Sequence, residues 1–119
     1  MTDYIGDLPA GLDRAILRIL SFHQGAGNAI SRFALEMQCA QHGFPESDRR
    51  IRAAINLLRK QGHHSCSMGG ENGGYYMATN RRELDDYIER EPQARINDFS
   101  EQIKAMRSAY PPDNQMRLV

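Results

Sequence analysis

From Pro9 to Gly62 the apolar residues fall into three short rows at helical spacing, each closed by a glycine. The first row is Leu12, Ala15, Ile16, Ile19 and Leu20, the second Phe33, Ala34, Met37 and Ala40, and the third Ile51, Ala54, Ile55 and Leu58. Helices this short are marginal in water on their own, so they must bury their apolar sides against one another. A small helical core is the only economical outcome for this half of the chain.

The first row predicts a helix over about 10–23, with Asp13 suitably acidic in its first turn and the glycine-containing stretch His23 to Asn28 ending it. Ala29-Ile30 leads into Ser31, a good N-cap, with Ile30 and Leu35 placed to staple it. A second helix follows over about 32–41, expected to bury Phe33, Ala34, Met37 and Ala40 and to stop at Gly43. After the turn Phe44-Pro45-Glu46, Ser47-Asp48 opens a third helix that runs to about Gln61 and stops at Gly62. Around its axis Ile51, Ala54, Ile55 and Leu58 share one side, while Arg49, Arg52, Ala53, Asn56 and Lys60 share the other. One face is core and the other is basic.

Beyond the third helix, residues 64–68 and 74–78 are two strand-like stretches separated by Gly69-Gly70-Glu71-Asn72-Gly73, the pattern of a β-hairpin. Tyr75 and Tyr76 alternate across the second strand, so one is expected to pack inward and the other to face out. Asn80 and Glu83 approximate a capping box that opens a helix with Leu84, Tyr87 and Ile88 on one side. Pro92 ends or restarts it. The last periodic segment, about 93–109, carries Ile96, Phe99, Ile103, Met106 and Tyr110 at 3-4-3-4 spacing, and the tail from Pro111 onward is expected to fray.

At 119 residues the chain has room for one domain and an appended helix. Hydrophobic residues at 40% and charged residues at 25% are ordinary for a folded chain, so disorder throughout is excluded. No apolar run reaches the ~18–20 residues that span a bilayer, and MTDYIGDLP lacks the basic and apolar regions of a signal peptide. A soluble, cytoplasmic protein is expected. Two cysteines, Cys39 and Cys66, are too few for a disulfide scaffold and are expected as free thiols. The 15 basic and 15 acidic residues cancel, which argues against a histone-like binder of polyanions. Their distribution is uneven: residues 14–82 hold ten bases against four acids, while acids outnumber bases on both flanks. A basic middle locates a nucleic-acid face.

Helix, short strand, helix, turn, helix, hairpin is an order with a known counterpart. The stretch from Ile30 to Ala78 resembles the winged helix-turn-helix family through Ser31-Arg32-Phe33-Ala34-Leu35-Glu36-Met37, Gly43-Phe44, Ser47 to Leu58, Gly62 and Gly73-Gly74-Tyr75-Tyr76-Met77. With the first helix, the resemblance covers about two-thirds of the chain; small phage and prophage regulators are similar in size and layout. It implies an α+β, mainly helical fold: a winged helix-turn-helix domain over 1–91, an additional C-terminal helix over 92–110 and a frayed tail over 111–119. It also implies that the third helix enters the major groove of double-stranded DNA, with Arg49, Arg52 and Asn56 reading bases and Arg50, Arg59 and Lys60 nearer phosphates. Sequence-specific binding in transcriptional or replication control, needing no cofactor, is the expected function. The family also contains protein-interaction modules, so a phage-type inhibitor or assembly factor is the alternative. The tip from Gly69 to Gly74 carries Glu71 and no Lys or Arg, unlike the basic wings that grip DNA.

Enzymatic signatures are missing: there is no nucleophile elbow, no HExxH and no paired-carboxylate pattern, and Asp85, Asp86, Glu89 and Glu91 fit a solvated helix face. The reading is a non-enzyme. Cys39-x-x-His42 and His63-His64-x-Cys66 have the look of metal-ligand pairs, yet the third helix holds them ~20 Å apart, whereas zinc ligands converge within ~2.3 Å of the ion. No metal is expected. The 3-4-3-4 stripe of the C-terminal helix either folds back beside the first helix or forms a homodimer seam.

Overall fold

The computed structural model describes residues 8–70 and 73–110, and their elements follow from local chemistry. Helix α1 (Leu12–Leu20) buries Leu12, Ile16, Ile19 and Leu20. It stops short of the expected end because the His23 carbonyl is taken by the Met77 amide at 2.9 Å, which pulls the chain out of the helix. A 3₁₀ turn (Ala26–Asn28) follows. Helices α2 (Arg32–Gln41) and α3 (Asp48–Lys60) begin in the same way: the Ser31 hydroxyl accepts from the Ala34 amide at 3.1 Å, and the Ser47 hydroxyl accepts from the Arg50 amide at 3.3 Å. Between them Gly43, at φ 91°, takes the left-handed conformation that lets the chain reverse within a few residues.

Strands β1 (Ser65–Met68) and β2 (Gly74–Met77) pair antiparallel, with Ser65 opposite Met77 and Met68 opposite Gly74. The other edge of β2 is paired too. Ile30 and Tyr75 exchange amide-to-carbonyl bonds of 2.9 and 2.8 Å, and the Gly25 amide donates to the Met77 carbonyl at 2.8 Å. Gly74 makes this approach possible, since a Cβ there would overlap the Ile30 carbonyl oxygen. The short segment between α1 and α2 is thereby sewn to the hairpin, and α1, α2 and α3 close over one core with Tyr75 of β2 inside it.

Two expectations about side-chain burial are corrected. On α2 the buried residues are Leu35 and Cys39, whereas Phe33 is 71% exposed, Met37 48% exposed and Ala40 exposed; only Ala34 of the expected face packs against the core, and partly. Leu35 and Cys39 lie on the opposite side of the helix from Phe33 and Met37, and pairing of Ile30 with β2 sets which side turns inward. Tyr75 and Tyr76 are both buried, so neither is an outward contact residue. Tyr76 sits opposite Cys66, also buried, on the hairpin face turned away from that of Tyr75.

Helix α4 (Arg81–Ile88) opens with the expected capping: the Asn80 side chain accepts from the Glu83 amide at 2.8 Å. The Glu83 carboxylate reaches further than a capping box requires, accepting from the Thr79 amide at 2.8 Å and from the Ala26 amide at 3.0 Å. It clamps the 3₁₀ turn to the start of α4. Of the expected apolar side, Tyr87 is buried, Leu84 is half-buried and Ile88 is exposed.

The chain divides into two compact units, Met1–Leu84 and Asp85–Val119. In the second unit the helix does not break at Pro92. It widens into a π turn (Glu89–Gln93), which accommodates a residue with no amide hydrogen, and continues as α5 (Ala94–Ala109). The coarse class is α+β and mainly helical. Among the described residues no helix is long and apolar enough to cross a membrane. The expected frayed tail, 111–119, and Glu71 at the hairpin tip lie outside the described residues.

Candidate nucleic-acid interface

Helix α3 separates its side chains as the sequence pattern requires. Ile51, Ala54, Ile55 and Leu58 are buried, and Arg49, Arg52, Asn56 and Lys60 are exposed on the opposite side. Because these four recur every three or four residues, they form a single stripe of about 16 Å along the helix. All six residues expected to face nucleic acid are carried by this one helix, but they are not equivalent.

Arg52 pairs with Asp48 one turn earlier at 3.1 Å, with its side chain 55% exposed. An exposed pair of this kind is worth roughly 0.3–0.5 kcal/mol, so Arg52 exchanges readily to a stronger acceptor. Arg50 pairs with Glu46, and both side chains are largely covered at 26% and 19% exposure. It is held more firmly, across the first turn of α3. Arg59 is half-buried: its Nε donates to the Ser65 carbonyl at 2.7 Å and a terminal nitrogen donates to Asn56 Oδ1 at 3.4 Å. It ties α3 to β1 and steadies the Asn56 carboxamide. Asn56 is exposed, and beyond this bond its amide has two N–H donors and an acceptor lone pair, the set that pairs with an adenine edge.

Arg32, exposed at the first position of α2, was not among the expected site residues. The Tyr75 phenol is pushed above its usual range by burial and by Asp48, against the opposing pull of Arg32, Arg59 and Arg52. The first residue of α2 and two arginines of α3 thus act electrostatically on the same buried phenol. The signal of Arg32 in the sequence is its place directly after the Ser31 cap, at a helix start whose unpaired amides already favour anions.

Elsewhere the side chains have structural explanations. The Cys39 thiol is pushed up to about 11 by burial and by Glu36, which makes it a packing residue rather than a nucleophile. Cys66 is buried with its sulfur 3.6 Å from the His64 carbonyl. Among the described residues no three His, Cys, Asp or Glu side chains converge to hold a metal ion. Glu91 pairs with Arg90 at 3.5 Å and Arg95 at 3.8 Å, while Asp85, Asp86 and Glu89 are exposed. An open cleft of about 590 Å³ beside the start of α1 brings together Leu8, Pro9, Leu12, Ala54 and Leu57 with a single acid, Asp13, and a single base, Arg14. At the hairpin tip, Gly69, Gly70, Gly73 and Gly74 supply backbone and no charge. No protein-family profile matches the chain, and neither a curated protein nor a solved structure matches it.

Proposed function

We propose that the chain is a winged helix-turn-helix protein that binds double-stranded DNA sequence-specifically through α3, in transcriptional or replication control. The observation that carries this reading is the outer stripe of α3: Arg49, Arg52, Asn56 and Lys60 on one exposed side. The major groove admits an α-helix, arginine pairs bidentately with guanine, and asparagine with adenine. At 3.4 Å per base pair, a stripe of about 16 Å covers roughly five base pairs, the length of a short half-site. Arg52 and Asn56 are assigned to bases. Arg32, Arg49 and Lys60 are assigned to the margins, where phosphates lie. Arg50 and Arg59 shape the helix and its attachment to the hairpin rather than reaching outward. The reading needs no cofactor and no catalytic step.

A second reading has its own observation. Phe33 and Met37 are exposed one turn apart on α2, which favours a protein partner on that helix. Selection from a random duplex library, followed by sequencing of the retained DNA, separates the two. Enrichment of a short motif that disappears with Arg52→Ala plus Asn56→Ala supports the DNA reading; retention of no duplex at low salt overturns it in favour of a protein-interaction module.

A further inference from the structure

Ile96, Phe99, Ile103, Met106 and Tyr110 follow the 3-4-3-4 spacing of a helix-pairing seam, and each is between 49% and 70% exposed. No residue of α5 is buried. We propose that a second copy of this chain covers the stripe, so that the protein is a homodimer through antiparallel α5 helices. This goes beyond the DNA reading and stands or falls independently of it.

Area and charge both favour a second copy. Five large side chains exposed to this degree offer about 600 Å² of mostly apolar surface per chain, so complete cover of the pair buries at most roughly 1,200 Å², the lower edge of stable protein interfaces. Three bases, Arg95, Lys104 and Arg107, stand against two acids, Asp98 and Glu101, so two copies of α5 are close to neutral and do not repel. In the antiparallel order Asp98 comes level with Lys104 of the partner subunit, while Arg95 comes level with Arg107 of the partner subunit and Glu101 with its own copy; parallel copies would set all five charges beside their own kind. In the antiparallel register, Ile96 meets Met106 of the partner subunit and Phe99 meets Ile103 of the partner subunit. Such a dimer carries two α3 stripes on one particle, and the second contact with a duplex becomes intramolecular.

Light scattering coupled to size exclusion, on the full chain at tens of micromolar, should give twice the 13.5 kDa chain mass. Phe99→Asp with Ile103→Asp should give a monomer whose far-UV circular dichroism matches wild type; if the helical signal falls, Phe99→Ser with Ile103→Ser replaces it. A monomeric wild-type chain, or a dimer that persists in the folded double variant, overturns the assignment. For orientation, the native thiols are buried and give little background. Oxidation of an equimolar mixture of Ile96→Cys and Met106→Cys chains should yield the mixed disulfide, whereas efficient self-linkage of Met106→Cys alone overturns the antiparallel order.

Discussion

Replacing Glu83 with Gln should loosen the joint between the 3₁₀ turn and the start of α4, by an amount that depends on pH. One carboxylate oxygen accepts from the Thr79 amide at 2.8 Å and from the Thr79 hydroxyl at 3.1 Å; the other accepts from the Ala26 amide at 3.0 Å. Gln keeps only one acceptor oxygen, so one amide loses its partner and the charge is gone. A hydrogen bond to a charged group contributes about 1.5–3 kcal/mol. Glu83 is only half-buried, and screening by solvent brings the expected loss to roughly 1 kcal/mol. That corresponds to a fall of about 4–8 °C in Tm for a domain of this size. The Thr79 and Ala26 amides hold the carboxyl below its ordinary range. A depressed carboxyl contributes stability above its unfolded value, about 4.3, and loses it as pH falls through the lower folded value. Thermal unfolding followed by circular dichroism should therefore show wild type ahead of Glu83→Gln at pH 7 and the two converging in acid. A gap that stays constant across the carboxylate range would refute the clamp.

On α2, Leu35→Ala should cost about 2–5 kcal/mol in a denaturant titration, while Phe33→Ala should stay within about 0.5 kcal/mol, because only the first empties the core. Gly74→Ala places a methyl on the Ile30 carbonyl, so it should cost more than about 2 kcal/mol and abolish slow amide exchange at Ile30 and Tyr75. Cys39, buried and with its thiol raised to about 11, should resist aromatic disulfide reagents at neutral pH until the chain unfolds. Rapid modification of Cys39 with native circular dichroism intact would contradict that burial.

The parts of this molecule that sequence reveals are those decided within one helix. Both faces of α3 follow from its own period, since its apolar and charged residues are segregated around the axis, and the caps at Ser31, Ser47 and Asn80 act over three residues. What sequence leaves open is decided by distant contacts. Helix α2 is apolar on two opposite sides, and the side that turns inward depends on Ile30 pairing with Tyr75, far along the chain. Tyr76 alternates correctly, yet the other face of the hairpin is covered as well. The long Arg59 side chain bends back to a carbonyl of β1 instead of extending to solvent, which no periodicity records. At Pro92 a π turn keeps the helix going, where local propensity reads a stop.

Fluorescence anisotropy with a labelled duplex at 50 and 200 mM salt tests most directly whether the exposed stripe of α3 grips duplex DNA. Arg49, Arg52 and Lys60 on that stripe and Arg32 at the start of α2 are four exposed cations. If each displaces one counterion, log affinity falls with log salt at a slope of about −3.6 per chain, roughly 150-fold between the two conditions. Arg52→Ala with Asn56→Ala should weaken binding to the preferred sequence by at least about tenfold, since each lost base contact is worth about 1–3 kcal/mol. Absence of binding at 50 mM salt, or wild-type affinity in the double variant, would contradict the account.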